Sequence, residues 1–255
     1  MNNFIIKNPS GQKITGLIDL PAKVDQPLKS LIFCHGFKGF KEQKYLEYIA
    51  DYLSLRGIAV FRFDFTNGIG ESEGDIYYIS TGHYLEDLKS VFDYVSQLDY
   101  INQKAVSLAG ASFGGMVAIL LAAENPAIKS LILQAPVFKP AELHPEINLN
   151  QWQKQGYWTF HSNSKNLDFK VGFQFYSERV KYDLLREAAK IKAPTLIIHG
   201  SEDESIPLKH SQELFDCLKV TKKLFVIPGG PHDIKQNSQL KLYADRILDW
   251  LKNPV

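Results

Sequence analysis

Gly110-Ala111-Ser112-Phe113-Gly114 stands between a short apolar run, Lys104 to Ala109, and an apolar segment of small residues, Met116 to Ala123. That order reads as strand, tight turn and helix, with a serine at the turn. The turn is sharp enough to push its middle residue into unfavourable dihedrals, and a side chain at either glycine would collide with the adjoining strand or helix. Ser112 is thereby exposed at a helix N-terminus, where the dipole and unpaired N–H groups favour negative charge. The five letters alone decide little, since a bare G-x-S-x-G arises by chance in roughly one protein in ten of this length. The reading turns on whether a base, an acid and an oxyanion donor stand at matching places.

Outward from that turn, apolar β-rich runs alternate with amphipathic stretches. Phe4 to Asn8 and Ile14 to Leu20 read as an opening hairpin. Strands are expected at Ser30 to Cys34, Ile58 to Phe63, Ser130 to Gln134, Thr195 to His199 and Lys223 to Ile227. Helices are expected at Glu42 to Leu55, ended by Gly57, and at Gly82 to Leu98, Tyr182 to Lys190, Leu208 to Leu218 and Leu240 to Leu251. Continuous apolar strands such as Thr195-Leu196-Ile197-Ile198 imply burial on both faces, so the fold class is α/β, a mostly parallel sheet covered by helices. The stretch from Val137 to Val180 breaks the alternation; it is rich in Asn, Gln, Lys and aromatics and has no clear period.

Composition fits one domain. At 255 residues, 45% hydrophobic and 22% charged, the chain can bury a full core without staples. A net charge of +1 with scattered Lys and Arg offers no footprint for nucleic acid. Lys38, Lys41 and Lys44 are read as a solvated loop and helix face. No basic leader precedes an apolar run and no segment has the length to span a bilayer, so a cytoplasmic protein is expected. Cys34 and Cys217 lack disulfide-scaffold or metal spacing and read as reduced core thiols. Gly68-x-Gly70 follows a strand, but a dinucleotide fingerprint needs a third glycine where Glu73 stands. Neither metal nor cofactor is expected.

In a parallel sheet, ligands collect beyond the carboxyl ends of the strands. Those ends carry His35-Gly36-Phe37-Lys38-Gly39 after Cys34, His199-Gly200-Ser201-Glu202-Asp203-Glu204 after Ile198, and Pro228-Gly229-Gly230-Pro231-His232-Asp233 after Ile227. Serine, acid and histidine thus follow one another in chain order, each at a strand end, as a nucleophile, an orienting acid and a general base require. Of the seven histidines, His232 alone follows the last strand and takes the base role. For the acid, Glu202, Asp203 and Glu204 are neighbours, and their chemistry alone does not choose among them.

With H-G-F, G-A-S-F-G, H-G-x-x-D-x-x-I-P and G-G-P-H in register across nearly the whole chain, the sequence resembles the α/β-hydrolase superfamily of serine hydrolases. F-D-F-T-N-G-I-G-E-S-E-G and H-G-F-K-G-F-K-E are similar to small bacterial carboxylesterases of the cinnamoyl and feruloyl esterase type. The resemblance implies an α/β-hydrolase fold, hydrolysis of carboxylic esters through an acyl-serine, Asp203 as the acid, and backbone N–H groups of Phe37 and Phe113 as the oxyanion hole. It further implies that residues 137–180 form a short cap inserted in the single domain 1–255, whose aromatics, Trp152, Phe160 and Phe175 among them, divide between lining a pocket and burying the cap's own interior. The implied partner is a small-molecule ester, not nucleic acid or membrane, and a homodimer stays open. Thioester or short-peptide hydrolysis by the same machinery is the first alternative, and a non-catalytic binding protein on the same fold the second.

Overall fold

The computed structural model describes residues 2–24, 26–144 and 146–254. β1 (Asn2–Lys7) and β2 (Lys13–Asp19) form the expected antiparallel hairpin, and β2 continues antiparallel onto β4 (Ile58–Phe63). From there every neighbour is parallel: β3 (Leu28–Cys34), β5 (Ile101–Ala111), β6 (Leu131–Gln134), β9 (Thr195–Gly200) and β10 (Lys222–Ile227), giving the eight-strand order β1-β2-β4-β3-β5-β6-β9-β10. The order turns around at β3. The chain first moves from β3 to β4 on one side, then returns to lay β5 on the other, and such a reversal opens a crevice beyond the carboxyl ends of the two central strands.

Alternating side chains of the parallel strands feed two cores. Leu31, Phe33, Val60, Ile132 and Ile198 face α1 (Lys44–Ser54) and α8 (Asn237–Lys252). Ile32, Phe61, Leu108, Leu133 and Ile197 face α2 (Thr81–Ser96), α3 (Ser112–Glu124), α6 (Leu184–Ala188) and α7 (Lys209–Cys217). The central strands are therefore dry on both sides, which is why they carry no polar alternation, whereas the edge strands β1 and β10 keep exposed residues. Every residue of α3 from Phe113 to Ala122 is buried, and a helix covered all round loses the helical period. Cleaner ends are readable: Gly57 at φ 87° stops the turn after α1, and the Ser80 hydroxyl caps α2 by accepting from the His83 N–H. No helix among the described residues is long and apolar enough to cross a membrane.

The aperiodic stretch 137–180 is ordered. It holds α4 (Leu149–Gln155), an antiparallel pair β7 (Tyr157–Ser162) and β8 (Leu167–Gly172), and α5 (Gln174–Arg179). Its elements are six or seven residues long, too short to display a period. They close over Trp152, which is wholly buried with its indole N–H donating to the Val171 carbonyl at 2.9 Å. Two expectations need correction. Lys41 is not solvated: it is 2% exposed, and its ammonium pairs with Asp64 at 2.8 Å and with Glu71 at 2.6 Å. Cys34 is buried and free as expected, whereas Cys217 is free but only half-buried, packed at the margin of the core.

Candidate active site

Ser112 leaves β5 at φ 54°, in the left-handed region where a non-glycine residue is strained, and opens α3. The turn works only because its neighbours lack side chains. A Cβ on Gly114 would run into the carbonyl oxygens of Cys34 and His35, so the first turn of α3 sits directly on the end of β3. Gly36 lies on the other side, where a Cβ would stand 3.1 Å from Cβ of Ser112 and 3.7 Å from its Oγ. The Gly36-Phe37 peptide is thus carried alongside the serine, and Phe113 follows it on α3. Both phenylalanine rings pack: Phe37 stacks on Phe175 at 4.9 Å, and Phe113 meets Phe175 edge-on at 5.0 Å.

His35 braces this loop. Its Nδ1 donates to the Gly36 carbonyl at 2.8 Å and its Nε2 accepts from the Phe65 N–H at 3.3 Å. Burial pushes its pKa down, which keeps the ring neutral and able to serve both partners. Below it, Asp64 accepts from the backbone N–H groups of Lys41 at 2.7 Å and Glu71 at 2.8 Å as well as from the Lys41 ammonium. Burial alone would lower the Lys41 pKa, but hydrogen bonds to Asp64, Glu42 and Glu71 outweigh it and hold the ammonium charged. Gly70 belongs to this packing, since a Cβ there would overlap the Asp64 carboxylate. The glycine-rich loop therefore wraps an acid.

The acid and histidine loops are stitched together beyond β9 and β10. Gly200 lets the two backbones touch, the Glu202 N–H donates to the Gly230 carbonyl at 2.9 Å, and the Gly229 N–H donates to the Ser201 hydroxyl at 2.8 Å. Across that seam His232 Nδ1 donates to Asp203 Oδ2 at 2.8 Å. Asp203 Oδ1 accepts from the Ser205 and Ile206 N–H groups at 2.9 and 2.8 Å. Its side chain is 1% exposed. Burial would raise its pKa, but hydrogen bonds from His199 and His232, joined by the Ile206 N–H, hold it well below the usual carboxylate range. Glu202 and Glu204 remain exposed to solvent.

Ser112 and His232 line one cavity of about 920 Å³, with Phe37, Val137, Leu143 and Phe175 among its apolar walls. Of the 137–180 aromatics, Phe175 reaches this cavity, whereas Trp152 is enclosed in the stretch's own interior. The hydrogen bonds of the described residues include none between Ser112 and His232. Contacts of that kind commonly close only when substrate is bound. No metal-holding group of three His, Cys, Asp or Glu side chains occurs among the described residues.

The model of the Hydrolase_4 family, described as serine aminopeptidase S33, matches residues 25–182 and 169–239. The chain belongs to this α/β-hydrolase family. The site residues described above, from Cys34 to His232, fall inside the matched region. Among curated proteins, the mouse mitochondrial palmitoyl-protein thioesterase ABHD10 is 26% identical over 224 residues, covering 81% of this chain and 71% of that protein. Among solved structures, Est1E from Butyrivibrio proteoclasticus with ferulic acid bound superposes with a TM-score of 0.87 at 23% identity, covering 98% of each chain. Mouse ABHD10 superposes with a TM-score of 0.82 at 20% identity over the full length of both. At these identities the superpositions establish the fold, and as a family member the chain carries its strand order and helical layers.

Three contributors were not read from the sequence. His199 reads in the sequence as the end of a strand, yet its Nε2 lies 3.4 Å from Asp203 Oδ2. Gln134 enters the sequence reading only as the end of a strand, and its amide donates to the His232 carbonyl at 3.0 Å. The Lys41–Asp64 pair joins residues 23 positions apart. The available signal was weak: a histidine and a glutamine, each at the carboxyl end of a predicted strand.

Proposed function

We propose that this protein is a serine hydrolase that cleaves carboxylic esters through an acyl-serine intermediate. The observation that supports it most is the Asp203–His232 hydrogen bond beyond β9 and β10, on the same cavity as a strained Ser112 at the start of α3. Because His232 Nδ1–H is committed to Asp203, its Nε2 is the basic nitrogen. In this reading Ser112 Oγ attacks the acyl carbonyl as His232 takes its proton, and the Asp203 carboxylate stabilises the imidazolium. The negative oxygen of the tetrahedral intermediate accepts from the Phe37 and Phe113 N–H groups, each worth about 3 kcal/mol in comparable sites. His232 then gives its proton to the departing alcohol, and water repeats the sequence to release the acid.

Residues 137–180 act as the cap, with Phe175, Leu143 and Val137 forming an apolar wall suited to an acyl or aromatic group. Similarity to a thioesterase over 81% of the chain favours thioesters as the second reading, since the leaving thiol asks nothing further of the machinery. The test is hydrolysis of p-nitrophenyl acetate and butyrate, and of the matching thioesters, by the wild type beside Ser112→Ala. Loss of a triad nucleophile costs on the order of 10⁶ in kcat, so the variant should be inert. Equal turnover by both proteins would end the serine mechanism, and turnover of thioesters alone would move the second reading ahead.

A further inference from the structure

The Asp203 carboxylate is gripped from more directions than one histidine explains. Oδ1 is fixed by two backbone N–H groups, Oδ2 receives His232, and on the flank of Oδ2 stands His199 Nε2 at 3.4 Å. His199 is the penultimate residue of β9 and has no exposed surface. Its tautomer follows from its partners. The Ile206 carbonyl, 2.9 Å from Nε2, can only accept, so Nε2 carries the hydrogen. Nδ1, 2.7 Å from the Ser211 hydroxyl of α7, then accepts from it in the neutral ring. The Nε2–H is left between the Ile206 carbonyl and Asp203 Oδ2, with its ring anchored by a helix that carries none of the proposed catalytic residues.

We propose that His199 is a positioning residue, which shares its Ser211-anchored Nε2–H with Asp203 Oδ2 and so keeps that oxygen aimed at His232 while the His232 ring gains and gives up a proton. The proposal rests on the serine-hydrolase reading. It goes beyond it in extending the Ser112–His232–Asp203 chain to a fourth side chain and a supporting hydroxyl on α7. The competing role is simple packing, in which His199 ties the Ile206 loop to α7 and touches the acid incidentally. A double-mutant cycle separates the two, because a residue acting through Asp203 has nothing to act on once that carboxylate is gone.

The experiment measures kcat and KM on p-nitrophenyl butyrate for wild type, His199→Leu and His199→Gln, and for Asp203→Asn with and without His199→Leu. A long, shared hydrogen bond to a charged group predicts that His199→Leu lowers kcat about tenfold with KM within about twofold. His199→Gln, which keeps a donor near the ε position, should recover most of that loss. In the Asp203→Asn background, His199→Leu should change kcat by less than about twofold. Losses that multiply in that background, or wild-type kcat in His199→Leu, overturn the proposal. If the leucine variant does not fold, His199→Asn, whose shorter side chain falls short of Asp203, takes its place in the same cycle. If wild type turns over no ester, the parent reading has failed, and the NMR resonance of the His232 Nδ1 proton decides the positioning by itself. It should broaden or shift in the variant that lacks the donor and stay put in His199→Gln, and an unchanged resonance in both would refute the role.

Discussion

Gly36 and Ser112 are in contact across the ends of β3 and β5, with room for a hydrogen on Gly36 but little for a methyl group, which would sit 3.1 Å from the serine Cβ. The two residues come from opposite sides of the point where the strand order reverses, so their approach is a product of topology. Gly36→Ala must push the Phe37 peptide away from Ser112 by a few tenths of an ångström. We expect about a tenfold fall in kcat with KM nearly unchanged, and a larger fall for Gly36→Val. Steady-state kinetics beside a thermal melt checks this, and wild-type kcat in the valine variant would contradict it.

Asp203→Asn should leave the loop in place but turn His232 to the wrong tautomer, a change that costs about 10⁴ in kcat in a well-studied triad. A pH signature accompanies it. The folded-state pKa of Asp203 lies below its unfolded value of about 3.9, so its contribution to stability is complete above that value and is lost as pH falls through the lower, folded one. Denaturant titrations should find the stability gap between wild type and Asp203→Asn narrowing below about pH 4. A gap that is constant with pH would show that Asp203 is not held as described.

Asp87 has the opposite sign. Burial raises its pKa to about 6 against the pull of hydrogen bonds from Asn8 and Thr66. The folded protein therefore binds a proton more tightly than the unfolded chain, and stability declines as pH rises from about 4 through about 6. Asp87→Asn abolishes that decline. It also carries a fixed cost, because Asn8 Oδ1 is occupied by the Gln12 N–H and cannot turn freely to meet a new amide. Relative to wild type, the variant should gain stability between about pH 4 and pH 7, and a difference that is flat over this range would refute the assignment.

Trp152 and Phe175 should fail in different ways. Trp152→Ala opens a cavity inside the 137–180 segment and unpairs the Val171 carbonyl, at a cost of about 3 to 5 kcal/mol. Limited proteolysis should then cut within that segment first. Phe175→Ala removes a cavity wall and should raise KM for aryl acyl groups more than for acetate. Identical kinetic and proteolytic behaviour of the two variants would mean that the division between interior and cavity is wrong.

Much of the fold was legible because buried parallel strands and amphipathic helices write long, repetitive patterns. Thr195-Leu196-Ile197-Ile198 reads as a strand covered on both faces, and Gly57 marks a helix end by its conformational freedom. The 137–180 segment was opaque because its helices and strands are too short to repeat. Lys41 was misread because a single cation in sequence gives no sign that Asp64 and Glu71 will fold around it.

The sequence by itself determined the order of elements, the turn that strains Ser112, and a short set of acids and histidines at strand ends. These are local properties, fixed by side-chain size, backbone freedom and hydrophobic period. Residue chemistry left Glu202, Asp203 and Glu204 equal, the family resemblance pointed to Asp203, and tertiary structure alone decided that Asp203 faces His232, that Gly36 touches Ser112, and that His199 stands behind the acid. Each of those contacts joins separate strand ends or turns on which way neighbouring side chains point, and both follow from strand order and loop closure, which no single stretch of sequence encodes.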